Sequence, residues 1–339
     1  MDIKKTLNIV ADSTDLSFDE MRDVMNIIMS GEATPSQIGA FLMALRGKGE
    51  TVEEIAGAVS ILREKMTPVA APANAIDIVG TGGDGVGTYN ISTASSIVVA
   101  SAGCPVAKHG NKALSSKSGS SEALLALGVE LDLPAAGIAA CIERAGIGFM
   151  FAPNHHAAMR FVGPSRQEMG VRTIFNLLGP QSNPAGVKHY LLGVYDKQWV
   201  RPVAESLLKN GAKSAWVIFG NDGLDELTTT TTSAVAEIKN GKINEFEISP
   251  EDAGLPIAKT EDLLGGTPQV NADAIRRLLD GEKSAYRDIV LLNSAAAFLI
   301  LDKVKDLKEG VELAAKQIDS GAAKQKLADL VAVSNKVAK

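Results

Sequence analysis

Apolar positions between residues 17 and 65 recur at helical spacing and fall into three runs. Met21, Val24, Met25 and Ile28 form the first face, Ile38, Phe41, Leu42 and Leu45 the second, and Ile55, Val59 and Leu62 the third. That periodicity predicts three amphipathic helices. Each run opens on a hydroxyl residue followed three places on by Glu or Gln: Ser17 with Glu20, Thr34 with Gln37, Thr51 with Glu54. Such a capping box satisfies amides that have no partner inside the helix, and Pro35 suits a first helical position. Short connections make the three helices antiparallel or steeply crossed neighbours. They bury too little alone, so later helices or a second copy of the chain must cover them.

The pattern then breaks. Residues 67–74, TPVAAPAN, interrupt any helix with two prolines and form the best linker in the chain. Beyond it, short apolar runs near 76–79, 105–107, 147–151, 189–195 and 215–219 predict strands. Helical patterns near 92–102, 120–127, 135–145 and 197–209 alternate with them. Alternation of this kind predicts an α/β fold with a mainly parallel central sheet and helices on both faces. Residues 233–248 differ, because two alternating runs flank Asn240-Gly241, a strong hairpin signal. From Thr260 onward the pattern is mainly helical, with Tyr286 to Val304 the longest run.

Composition narrows the class without naming a chemistry. The 339 residues suggest about two domains. A net charge of −6 argues against a nucleic-acid surface as the main function. Cys104 and Cys141, both in apolar contexts, suit a reducing cytoplasm better than a disulfide framework. The amino terminus has no leader pattern and no stretch is apolar enough to span a bilayer, so neither export nor membrane insertion is expected.

Candidate chemistry lies in three clusters. The first is DIVGTGGDGVGTYNIST, residues 77–93, in which a strand meets five glycines and then a helix start. Glycines let the backbone approach phosphate oxygens, and the amides and dipole of a helix N-terminus favour negative charge. The spacing matches neither a Walker loop nor a dinucleotide loop, and a tight structural turn remains the other reading. Asp84 inside the loop would repel phosphate unless it binds a sugar hydroxyl or a metal-bound water. The second cluster is KHGNKALSSKSGSS, residues 108–121, where lysines and hydroxyls offer donors from several directions. Like the first, it follows the C-terminal end of a predicted parallel strand, the edge where open α/β sheets bind ligands. Asp225 and Glu226 follow the strand AWVIFG at the same edge. Adjacent carboxylates there suit Mg²⁺, with an exposed acidic turn as the alternative. The third cluster, residues 152–180, holds His155, His156 and three arginines. Paired histidines without Cys, Asp or Glu at ligand spacing are weak for zinc. Arg166 is the sharper candidate, able to grip a carboxylate bidentately, while Arg160 and Arg172 read equally well as salt-bridge partners.

GTGGDG at 80–85, NIST at 90–93, KHGN at 108–111, SSKSGS at 115–120, NLLGP at 176–180 and DGLDELT at 222–228 together resemble the anthranilate phosphoribosyltransferase family. The ordered set is far more specific than any one motif, and the likeness runs through nearly the whole chain. It implies a small all-helical N-terminal domain, residues 1–70, joined by helices near 165–180. It also implies a large α/β domain, residues 75–339, of the nucleoside phosphorylase/phosphoribosyltransferase type. It implies a homodimer formed through the helical domain, a requirement for Mg²⁺, and anthranilate and 5-phosphoribosyl 1-diphosphate as substrates. By that resemblance the phosphoribosyl diphosphate contacts are Gly80, Gly83, Asp84, Thr88, Asn90, Ile91, Ser92, Thr93, Lys108, Ser116 and Ser120. Metal contacts fall on Ser92, Asp225 and Glu226. Anthranilate contacts fall on Gly80, Asn111, His155 and Arg166, with His109 nearby; Lys108 and Arg166 position the reactants, and no general base is implied.

The chain departs from the family pattern at Lys112, at Ser121-Glu122, and at Ala157 and Ser165 close to the acceptor side. These departures bear on acceptor affinity more than on reaction type. Two other readings share parts of the pattern. A pyrimidine nucleoside phosphorylase would have the same architecture without the GTGGDG loop and the acidic pair. A non-catalytic nucleic-acid-binding relative would carry a basic groove and a broken metal pair.

Overall fold

The computed structural model describes residues 2–83, 85–112 and 118–338. The chain opens with α1 (Ile3–Ala11), which the sequence reading did not anticipate: Asp2 caps it by accepting from the Lys4 amide. The three expected helices follow as α2 (Phe18–Met29), α3 (Pro35–Lys48) and α4 (Val52–Lys65), each with its capping box formed. α2 packs on α4, and α1 on α3. The fully buried Glu54 binds this unit together, accepting from the Leu16 and Thr51 amides and pairing with Lys48 at 3.0 Å.

The remainder alternates strand and helix: β1 (Ile76–Gly80), α5 (Ile91–Ser101), β2 (Val106–Gly110), α6 (Ser120–Ala126), α7 (Ala135–Ala145) and β3 (Ile147–Phe151). Then come the short helices α8 (Ala152–His155), α9 (Gly163–Met169) and α10 (Phe175–Gln181), followed by β4 (His189–Gly193), α11 (Val200–Lys209) and β5 (Ser214–Gly220). β6 (Ser233–Lys239) and β7 (Lys242–Ile248) form the hairpin predicted at Asn240-Gly241. The C-terminal helices are α12 (Pro268–Leu279), α13 (Ala285–Ile300), α14 (Leu307–Asp319) and α15 (Ala322–Val337). α13 stops at Ile300, short of the expected Val304, and α15 equals it at 16 residues.

Among the described residues seven strands form one sheet in the order β3-β2-β1-β4-β5-β6-β7. The first five are parallel, and β5, β6 and β7 pair antiparallel. The order runs outward from β1 through β2 to β3, then restarts on the other side of β1 with β4. That reversal places a crevice between the C-terminal ends of β1 and β4, where ligands of open α/β sheets bind. Helix α5 packs against β1 and β2, α13 against α5, β4 and β5, and α11 against β5 and β6. The α4 helix lies on α11: Lys209 pairs with Glu53, and Arg63 reaches across to the Gln181 and Asn210 carbonyls and the Tyr190 hydroxyl. α9 packs on α3 and α10 on α4, so a mid-chain segment joins the N-terminal helices.

Candidate active site

β1 delivers the glycine loop to the crevice. Gly82 and Gly83 have φ of +66° and +77°, a region that L side chains rarely adopt, so the loop shape depends on glycine. Gly80 is different: it ends a strand, and its lack of a side chain makes room for a neighbour. A Cβ there would lie 2.3 Å from the Asp225 carboxylate. Asp84 and Ser116 lie outside the described residues.

The acidic loop is not the exposed turn that stood as the alternative to a metal loop. Asp225 is buried and accepts the Gly82 amide at 2.6 Å, which fastens the loop after β5 to the loop after β1. Two further pins, one local and one from α13, hold it. Asp222 accepts the Thr228 hydroxyl at 2.6 Å, and Asn293 of α13 bonds both the amide and the carbonyl of Leu227. Beside the pair lies the fully enclosed Lys108, donating to the Ile78 carbonyl at 2.6 Å and the Ser92 hydroxyl at 3.2 Å. Burial pulls the Lys108 ammonium below its ordinary range, and Asp77, Glu226 and Asp225 pull it back. Two carboxylates and a hydroxyl make an oxygen-only donor set, which fits Mg²⁺ with water in its remaining positions.

Thr88 and Asn90 are held from the other side. Thr88 bridges to Leu264, and the Tyr89 amide donates to the Leu263 carbonyl. The Asn90 side chain donates to the Ser118 carbonyl and accepts from Asn271, while the Asn90 carbonyl accepts from the Tyr286 hydroxyl. Ile91 and Thr93 are buried, and the Ile91 amide is bonded to the Tyr89 carbonyl. Ser92 is the residue of this turn whose hydroxyl meets Lys108. Asn111 and Ser120 are linked to each other, the Ser120 hydroxyl donating to the Asn111 carbonyl at 3.4 Å.

The histidines are sorted by the fold. His155 is buried with Nδ1 3.0 Å from the Thr67 carbonyl, so it faces the linker. His156, not His155, lies against His109, with ring centroids 5.1 Å apart. Arg166 is half-buried over the Phe175 ring, and among the described residues nothing pairs with its charge. Arg160 lies over Phe161 and Arg172 over Tyr195, so aromatic faces stand where carboxylates were anticipated. The Arg172 guanidinium also donates to the Gly83 carbonyl.

Residues 72–324 match the glycosyl transferase family a/b domain, and residues 4–66 match the helical bundle domain of that family. The chain is 62% identical over 334 residues to an anthranilate phosphoribosyltransferase of Parvibaculum lavamentivorans, covering 98% of each. The chain belongs to the anthranilate phosphoribosyltransferase family. A crystal structure of the Thermus thermophilus anthranilate phosphoribosyltransferase superposes with a TM-score of 0.93 at 42% identity, covering 97% of this chain and 99% of the other. The Saccharomyces cerevisiae enzyme, solved in complex with phosphoribosyl diphosphate and Mg, gives 0.91 at 26% identity, covering 98% of each. The phosphorylase and nucleic-acid readings are set aside on these identities.

For an anthranilate phosphoribosyltransferase, the sequence reading missed residues that act through their neighbours. Asn293 gave one local sign, a polar group inside the apolar run of α13, whereas Asn271 in the mixed helix α12 and Tyr286 in the first turn of α13 gave none. The histidine cluster carries a testable consequence. Burial lowers His109, His155 and His156, the last to about 4. The unfolded chain takes up protons near pH 6.5, so between roughly pH 6.5 and 4 it binds more protons than the native protein. The stability these neutral rings allow is full above that range and is lost as pH falls. The thermal midpoint is therefore expected to drop from about pH 7 to about pH 5, and His156→Asn to flatten the slope. A wild-type midpoint that stays level across that window refutes the assignment.

Proposed function

We propose that this chain transfers the phosphoribosyl group of 5-phosphoribosyl 1-diphosphate to the amine of anthranilate, releasing diphosphate, the second step of tryptophan biosynthesis. The observation that carries the reading is the convergence of Lys108, Asp225 and the glycine loop at the crevice between β1 and β4. The donor is assigned to Gly80, Gly83, Asp84, Thr88, Asn90, Ile91, Ser92, Thr93, Lys108, Ser116 and Ser120. Ile91 and Thr93 serve as framework there, since their side chains are buried. Ser92, Asp225 and Glu226 would hold Mg²⁺. Gly80, Asn111 and Arg166 serve the acceptor, with His155 behind them at the linker. Two copies pair through the N-terminal helices, whose α3 exposes Met43, and the buried free thiols suit a reducing cytoplasm.

The anthranilate nitrogen supplies an electron pair to the ribose C1 while the bond from C1 to the diphosphate oxygen breaks toward the leaving group. The nitrogen then loses its proton to water, because a neutral aryl amine needs no strong base to attack. The Lys108 ammonium and the loop amides stabilise charge growing on the diphosphate, and bound Mg²⁺ supplies further positive charge there. Burial of Lys108 strengthens that interaction by excluding water. Anthranilate fluorescence should vanish only when phosphoribosyl diphosphate and Mg²⁺ are both present. Loss with inorganic phosphate and a nucleoside, or in the presence of chelator, would overturn the reading.

Arg166 separates acceptor from donor recognition. Its guanidinium is stacked on Phe175, and among the described residues it makes no ion pair with Glu168. It is therefore available to a carboxylate ligand. A charge-assisted hydrogen bond contributes about 1.5–3 kcal/mol, roughly a 10- to 150-fold change in an equilibrium constant. Arg166→Ala is expected to raise the KM for anthranilate by that factor and leave the KM for phosphoribosyl diphosphate nearly unchanged. Steady-state kinetics with each substrate varied in turn decides it; a rise in both constants removes Arg166 from the acceptor site.

A further inference from the structure

Asp77 is a carboxyl-bearing residue near the start of the buried parallel strand β1, and the reaction as described does not use it. It has no exposed surface, and both of its oxygens are occupied by N–H donors. One accepts the His109 amide at 3.1 Å and the other the Asn183 side-chain amide at 2.7 Å. Asn183 is equally buried; its nitrogen also donates to the Ala107 carbonyl at 2.8 Å, and its oxygen accepts the Ala185 amide at 2.8 Å.

Asn183 lies where the chain returns from α10 to β4. That connector is tied to the other crossings between the helices and the sheet. The Val69 amide of the linker donates to the Pro184 carbonyl, the Thr67 amide donates to the His155 carbonyl, and Arg63 of α4 donates to the Gln181 carbonyl. Asp77 is thus the point at which β1, the C-terminal end of β2 and the return connector are fastened together. The two groups it holds are both on the acceptor side: the end of β2, which carries His109 and leads into Asn111, and the connector that ends the segment bearing Arg166. The glycine loop is fastened separately, by Asp225.

We propose that Asp77 and Asn183 form a buried pin that positions the end of β2, where His109 leads into Asn111, against the Arg166 segment, so that Asp77 is a positioning residue for anthranilate. Both partners donate, so the group at position 77 must accept at both oxygens. Asp77→Asn sets its amide against one of two donors, and Asn183→Asp sets carboxylate against carboxylate. The exchanged pair restores the contact with reversed polarity: Asn at 77 donates to Asp at 183 and still accepts from the His109 amide. The bond to the Ala107 carbonyl is replaced by an acceptor facing an acceptor, a cost the exchange does not remove.

The inference rests on the assignment of Asn111 and Arg166 to the acceptor, so Arg166→Ala is measured alongside. Kinetics are read well below the melting temperature. Asp77→Asn and Asn183→Ala are each expected to raise the KM for anthranilate by at least about tenfold, the loss of one charge-assisted hydrogen bond, with the KM for phosphoribosyl diphosphate within about threefold. The double variant Asp77→Asn with Asn183→Asp is expected to bring the anthranilate KM closer to wild type than either single variant, short of full recovery because the Ala107 carbonyl loses its donor. A lower melting temperature with both constants at wild type overturns the proposal in favour of a purely structural role, as does an equal rise in both constants. If Asp77→Asn does not fold, Asn183→Ala and the exchanged pair decide by the same criteria. If Arg166→Ala leaves the anthranilate constant alone, the acceptor assignment fails. If it raises the constant and Asn183→Ala does not, the pin fails.

Discussion

Turnover is expected to fall by roughly a thousandfold or more when Asp225 and Glu226 are both replaced by alanine, since each transition-state charge partner in such a site contributes about 10²–10³. Asp225 does two things. Its carboxylate belongs to the oxygen donor set beside Ser92 and Lys108, and it also holds the Gly82 amide at 2.6 Å. Alanine at 225 therefore loosens the glycine loop as well as removing a proposed metal ligand. Glu226 is the cleaner probe, because it is half-buried and acts on Lys108 by charge. Glu226→Ala alone should weaken the response to Mg²⁺ while the loop stays in place. The double variant should keep the fold, because Asp222 and Asn293 pin the loop independently of the pair. Titration of activity with Mg²⁺, set beside a melting curve, tests both statements. Activity within tenfold of wild type at saturating metal, with an unchanged melting curve, would remove the pair from the metal site.

What was legible in the sequence was local. The three capping boxes, the Asn240-Gly241 turn and the alternation of strand and helix are each set by neighbours a few residues apart, and the structure forms all of them. The first helix was hidden because Ile3, Thr6 and Val10 bury a face too short to show a period. The burial of Asp225 could not be read, since it depends on a glycine 145 positions earlier having no Cβ and on an asparagine in α13. The two histidines show the same limit. Adjacent side chains leave a helix about 100° apart, so His155 faces Thr67 and His156 faces His109. No spacing rule chooses between them. Asp77 did leave a sign: a lone carboxylate inside an apolar strand is seldom buried unless something holds it.

Gly80→Ala should be nearly as damaging as loss of the acidic pair, by a route that can be reversed in part. Gly80 does not need a left-handed backbone, so the methyl group meets no conformational objection. What it meets is Asp225: the new Cβ would lie 2.3 Å from Oδ2, 2.8 Å from Cγ and 3.3 Å from the backbone oxygen. The rim of the crevice must open or the carboxylate must leave its place. Either displaces the proposed metal ligand and frees the Gly82 amide, so kcat/KM for phosphoribosyl diphosphate is expected to fall by about 10²-fold or more. Gly83→Val acts differently. Its Cβ would sit 3.6 Å from the Arg172 guanidinium, an ordinary contact, but φ of +77° penalises any side chain. A left-handed residue costs roughly 1–2 kcal/mol, about a 5- to 30-fold loss of donor affinity, without displacing Asp225. The two mechanisms part company when Asp225→Ala is added. In the Gly80→Ala background it removes the clash, so the melting temperature should rise again while activity stays lost. In the Gly83→Val background it should only subtract. If Asp225→Ala fails to restore stability to Gly80→Ala, the close approach of strand end and carboxylate is not what Gly80 provides.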